Sequence, residues 1–285
     1  MLSEPPTGRL IREVRMQASH ADAGQLQKHM AGTYFTLRIG MGVLAAALPP
    51  LLWLGGRLLD REPLRCSMSA YYYSPAMRDT FVGAVVAIGV FLYLYKGFSR
   101  QENWALNLAG ALAVGVALVP TGPRCEEGGG AFTLHGTFAV LFFVSIAYVC
   151  IFRASDTLSL IRDTRKAERL RTTYRALGAF MIVSPVVAAV LSFVLQPGER
   201  GRSLVFFVEA LGVFTFAAYW LTKSRELSAT DAERLALERK LQPTVHPKPA
   251  VESGPGRLVQ IEPDAPDDVW PPDDAQSDSA WGQRR

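Results

Sequence analysis

The chain reads as an all-α protein: a polytopic transmembrane helix bundle of six spans, with both termini cytoplasmic. Three observations predict this. Several stretches of about 16 to 22 residues are almost free of charge, close to the ~20 residues a helix needs to cross a hydrocarbon core. Hydrophobic residues make up 49% of the chain, and the mean hydropathy is +0.14 although both ends are polar. The stretches are apolar all round rather than striped, unlike the helices of a soluble bundle.

Residues 1–34 are polar and contain Pro5, Pro6 and several charges. Leu10, Val14 and Ala18 form a thin stripe that fits either a short helix on the membrane surface or a solvated segment. No early apolar core is present, so no cleavable signal peptide is expected. Span one covers residues 35–54, and its Pro49–Pro50 pair is expected to kink or end the helix near its far side. The loop 55–79 is rich in Ser and Tyr and leads through Arg78–Asp79 into a run with no charge from Thr80 to Tyr95. That run is span two. A polar turn at 96–103 and span three at 104–120 follow.

The turn 121–131 carries Pro123, Cys125, Glu126, Glu127 and Gly128–Gly130, and span four covers 132–152. Residues 153–175 are strongly basic and expected to be helical, with Leu158, Ile161 and Leu170 as their few apolar contacts. Span five, 177–195, contains Ser184–Pro185, a predicted kink. After a Pro/Gly turn at 196–202, span six runs over 203–221 and closes on Lys223 and Arg225. The transmembrane domain is therefore 35–223. A capping box, Thr230-Asp-Ala-Glu233, predicts a short cytoplasmic helix over 224–241. Residues 242–285 form an acidic, Pro-rich tail expected to be disordered.

A net charge of +4 and a pI near 9.0 do not here point to nucleic acid, because the basic residues cluster at the ends of apolar runs. The N-segment, the 96–103 turn, the 153–175 loop and the stretch just after span six with Lys223 and Arg225 hold 15 Lys and Arg, against 7 in the loops of the other face. The positive-inside rule then places both termini in the cytoplasm, and the inner (plasma) membrane is the expected location. Cys66 and Cys125 fall in two loops of the outer face, and an oxidising exterior permits a disulfide between them.

Polar groups within or beside spans are candidates for function because the bilayer makes them expensive. Glu209 lies in span six, His135 opens span four, and Arg78–Asp79 stand at the mouth of span two. These three spans run in the same direction, so the four residues share an outer-leaflet depth. With Ser69, Tyr71, Tyr72 and Tyr73 they make a candidate ligand-binding cluster, in which Arg78 or His135 is the natural partner of Glu209. Asp79, His135 and Glu209 are also the candidate catalytic groups. No metal site and no cofactor are expected: the sequence has no HExxH, Walker or GxSxG motif, and His135 is its one histidine inside a span.

The segments SMSAYYYSPAMRDTFVG, FLYLYKG, VALVPTG and VEALGVFTFAAYWLTK, with His135, resemble bacterial six-span proteins of the Frag/DRAM/Sfk-type membrane family. The resemblance covers about residues 35–223. It implies architecture rather than activity, since that family has no agreed reaction. A second group, the membrane hydrolases that include alkaline ceramidases, pairs a Ser-x-x-x-His element with a later His-x-x-x-His. Here Ser69 is followed by Tyr73 and His135 by Ala139, so the metal histidines are missing.

The function expected is binding of a lipid or small amphipathic ligand in a polar outer-leaflet pocket, or a role as a membrane-embedded sensor or partner. The rival reading is a membrane-embedded lipid hydrolase. A transporter or channel has less support, because polar residues do not continue across the membrane and no inverted repeat is visible. Membrane lipids are the expected partners, nucleic acid is not, and the tail is a candidate site for a soluble protein partner.

Overall fold

The computed structural model describes residues 6–120, 133–194 and 199–230. The chain divides into two units, 1–244 and 245–285, and all described residues belong to the first. Among them the protein forms six α-helices and no strand: α1 (Pro6–Gly55), α2 (Arg78–Leu94), α3 (Arg100–Leu118), α4 (Leu134–Tyr148), α5 (Thr164–Val194) and α6 (Glu199–Thr230). Each helix packs on its neighbour in the chain and α6 returns to α1, so the six close into a ring.

Four helical segments, Lys28–Asp60, Leu134–Leu160, Thr164–Leu191 and Leu204–Thr230, are long and apolar enough to cross a membrane. The chain is thus a helical membrane protein. The other two helices are marginal for physical reasons. α2 has 17 residues, a length of about 26 Å. α3 has 19, but Gln101, Glu102, Asn103 and Asn107 dilute its apolar character. These two are packed against each other at an unusually close crossing. A Cβ on Gly89 would stand 2.7 Å from Gly110 O, and one on Gly110 would stand 2.6 Å from Gly89 O. Only a hydrogen in place of a side chain lets the two backbones approach this closely.

Several element boundaries differ from the sequence reading. Residues 6–34 of the N-segment and span one are one helix of 50 residues, about 75 Å long and more than twice a hydrocarbon core. Pro49 and Pro50 stand inside α1 and do not end it. A π-helical turn at Gly56–Asp60 ends it instead, closed by Arg61 in a left-handed conformation. Neighbouring helices supply the packing that lets a membrane helix continue past two missing backbone donors. Residues 224–230 continue α6 rather than starting a separate helix. The basic 153–175 segment is helical only from Thr164, after a turn and a short 3-10 segment at Leu158–Leu160.

The core has two centres. One joins Leu48, Leu52, Met68, Tyr71, Phe81 and Phe206 near the end of the bundle that carries Glu209. The other, around Leu106, Cys150, Tyr174, Met181, Tyr219 and Trp220, lies toward the end that carries Glu226. Phe180, Val183, Val186, Phe207 and Leu211 stand exposed on the outside of the ring, as expected where the neighbour is lipid.

Candidate functional site

At the Glu209 pole, the segment after α1 folds back into the mouth of the bundle. Met68, Ser69, Ala70, Tyr71, Ser74 and Met77 are all buried. A 3-10 segment at Ser69–Tyr73 gives this loop its shape. Asp60 holds one end, accepting from Ser74 Oγ at 2.5 Å and from the Ala76 amide at 3.1 Å. Arg65 holds the middle. It makes two bonds to the Glu62 carboxylate, at 2.8 and 2.7 Å, and others to the carbonyls of Ala70 and Tyr73. Its guanidinium also sits 5.9 Å over the Tyr71 ring, a cation–π contact. Burial pushes the Tyr71 phenol above its ordinary range, opposed by the nearby Arg65 charge.

Glu209 ties this loop to α6. Its Oε2 accepts the Met68 amide at 2.6 Å, across 141 residues of sequence. The side chain is half-buried, and among the described residues it has no ion-pair partner. Ser67 and Ser69 lie on either side of Met68, their hydroxyls 3.1 Å apart, and Ser67 Oγ accepts the Ala70 amide.

The partners expected for Glu209 are engaged elsewhere. Arg78 is exposed, donates to Tyr72 Oη at 3.0 Å and lies 4.7 Å over that ring. His135 is buried, with Nδ1 2.7 Å from the carbonyl oxygen of Val119, which caps the end of α3. Asp79 is exposed in the first turn of α2, where the helix dipole favours an acid. Tyr72 and Tyr73 meet edge to face at 5.3 Å. The structure therefore brings Ser69, Tyr71 and Glu209 around one loop and sets Tyr72, Arg78 and Asp79 along its rim. His135 is a separate latch between α3 and α4. Among the described residues no group of three or more His, Cys, Asp or Glu is placed to hold a metal.

Cys66, in the same loop, is disulfide-bonded. Cys150 is free and buried, and Cys125 lies outside the described residues.

The opposite pole holds a buried polar network that sequence reasoning missed. Lys223 Nζ donates to Ala154 O at 2.8 Å, to Thr157 Oγ1 at 2.7 Å and to Glu226 Oε2 at 3.0 Å. Thr157 Oγ1 and Tyr174 Oη in turn donate to Glu226. The network joins α5, α6 and the turn after α4. Arg38 of α1 extends it by donating to Ser224 at 3.2 Å, fully buried. Glu102, ahead of the apolar part of α3, is buried and accepts the Phe98 amide at 2.8 Å. Burial pushes its carboxyl above the ordinary range, against the pull of Lys223. The signals for part of this were present: Ser99-x-x-Glu102 is a capping box, and Lys223-x-x-Glu226 is a helical pair. Arg38, a charge inside predicted span one, was a signal of the same kind that went unused; Thr157 and Tyr174 carried none.

The Lys223–Glu226 pair at the centre of this second network has its partners within the protein, which makes it a staple. Glu209 differs: one oxygen is committed to a backbone amide, and no other donor among the described residues reaches the carboxylate. Compared with protein-family models, with curated proteins and with solved structures, nothing matches this chain.

Proposed function

We propose that the protein is a six-span bundle of a bacterial inner membrane, with both termini cytoplasmic and the Glu209 pole in the outer leaflet. There it binds a lipid or small amphipathic ligand whose head group carries N–H or O–H donors. The observation that carries this reading is Glu209 itself, a half-buried carboxylate with no cation beside it among the described residues and with one oxygen that no described donor reaches. A carboxylate at such a depth is costly unless something completes its hydrogen bonding. The exposed Arg78–Tyr72 pair on the rim supports the same reading, since it offers a guanidinium to an anionic part of the ligand.

The test is lipid retention. The full chain, reconstituted in nanodiscs of phosphatidylethanolamine and phosphatidylcholine in equal parts, is extracted into mild detergent and its retained lipid quantified by mass spectrometry. Phosphatidylethanolamine, with its ammonium donor, should be retained several-fold over phosphatidylcholine, and Glu209→Leu should erase the preference while Arg57→Gln leaves it. Equal retention by wild type and Glu209→Leu refutes the proposal.

A further inference from the structure

The basic residues that a sequence reading groups together fall into two structural populations. Arg38, Arg153 and Lys223 are spent inside the protein: on Ser224, on Asp156 and Gln101, and on Glu226. Arg162, Arg165, Lys166, Arg169 and Arg175 are exposed. None of these five has an ion-pair partner among the described residues, whereas Arg171 is paired with Glu168 at 2.6 Å. Tyr174 is buried, and Leu170 packs against the same core, so the inward side of this stretch of α5 is taken.

The outward cations continue directly into an apolar face. Phe180, Val183, Val186 and Val190, further along the same helix, are each at least half exposed. Arg175 is five residues before Phe180, about 7.5 Å along the axis, and Arg169 about 9 Å further out. The polar layer of a bilayer extends roughly 5–8 Å beyond the hydrocarbon on each side. Arg175 therefore stands among head groups when the apolar face is in lipid, and Arg169, Lys166 and Arg165 stand just beyond it, within a Debye length of the surface charge.

We propose that this outward basic face of α5 is a binding surface for the head groups of anionic phospholipids in the leaflet it adjoins. The face recognises charge through guanidinium–phosphate contacts, and it is independent of the Glu209 site at the other pole.

The experiment uses the full chain in nanodiscs of phosphatidylglycerol and phosphatidylcholine in equal parts, followed by detergent extraction and quantification of retained lipid. Each cation near an anionic surface biases binding on the order of fivefold. Wild type should retain phosphatidylglycerol at least fivefold over phosphatidylcholine. Arg169→Gln/Arg175→Gln should bring that ratio near parity, and Arg169→Lys/Arg175→Lys should keep most of it. Arg57→Gln/Arg61→Gln, an equal charge change on exposed residues of the other pole, should leave it intact. The proposal is overturned if wild type shows no preference, if the α5 glutamine pair keeps it, or if both glutamine pairs lose it equally.

Discussion

Lys223 Nζ lies 3.0 Å from Glu226 Oε2, three residues on along α6, with side-chain exposures of 2% and 0%. Sealed from solvent, the pair depends on the Ala154, Thr157 and Tyr174 groups that complete its hydrogen bonding. Removing one charge strands the other, which costs about 3–5 kcal/mol. Lys223→Met or Glu226→Leu should therefore each lower the unfolding midpoint of the detergent-solubilised protein sharply. The double variant should recover most of the loss, because neither member of the pair is then left without the other. If the single and double losses simply add, the pair is not coupled.

The Met68–Glu209 bond predicts an effect on the loop it tethers. Glu209→Leu leaves a buried backbone amide without its acceptor, a loss of about 1–3 kcal/mol. Labelling of a cysteine placed at Ser69 by a hydrophilic maleimide should be slow in the otherwise wild-type protein and several-fold faster when Glu209→Leu is added. An unchanged rate means that packing around Tyr71 holds the loop without the carboxylate.

Cys66 is bridged and Cys150 is free, which leaves Cys125 as the one other cysteine of the chain. Cys66→Ser and Cys125→Ser should each lower stability by about 2–5 kcal/mol under non-reducing conditions, and combining them should add nothing. Alkylation followed by intact-mass measurement should find one free thiol before reduction and three after. Three before reduction would exclude the bridge.

The Gly89–Gly110 crossing leaves no room for a methyl group on either helix. Gly89→Ala and Gly110→Ala should each force α2 and α3 apart and cost about 1–3 kcal/mol. Their combined cost should fall below the sum, because one separation makes space for both. Unfolding midpoints of the three variants decide this.

A six-span topology requires α2 to cross the membrane, so its two ends must face opposite sides. With a membrane-impermeant maleimide on intact cells, Arg61→Cys should label and Lys96→Cys should not, both in a background without the native cysteines. Labelling of both would place α2 on the surface and reduce the number of spans.

How much of this was legible in the sequence follows from the range of the forces involved. Charge-free stretches and boundary residues such as Arg78, Lys96 and Arg175 mark helices, because helix formation and membrane partition depend on residues close together in the chain. Even so, the Pro49–Pro50 pair and the polar 1–34 segment misled on boundaries, since α1 runs unbroken from Pro6 through Pro49 and Pro50 to Gly55.

By itself, then, the sequence determined that the chain is helical, apolar and punctuated by basic ends, and that Glu209 is a costly group in its span. Only the tertiary structure decided its company. Glu209 met the Met68 amide rather than Arg78 or His135. The tertiary structure likewise gathered Arg38, Glu102, Thr157, Tyr174, Lys223 and Glu226 at the opposite pole, and left the α5 cations facing outward. The reason is geometric: hydrogen bonds act over about 3 Å, so their pairings follow from the rotation and depth of each helix in the ring, which spacing along the chain does not specify.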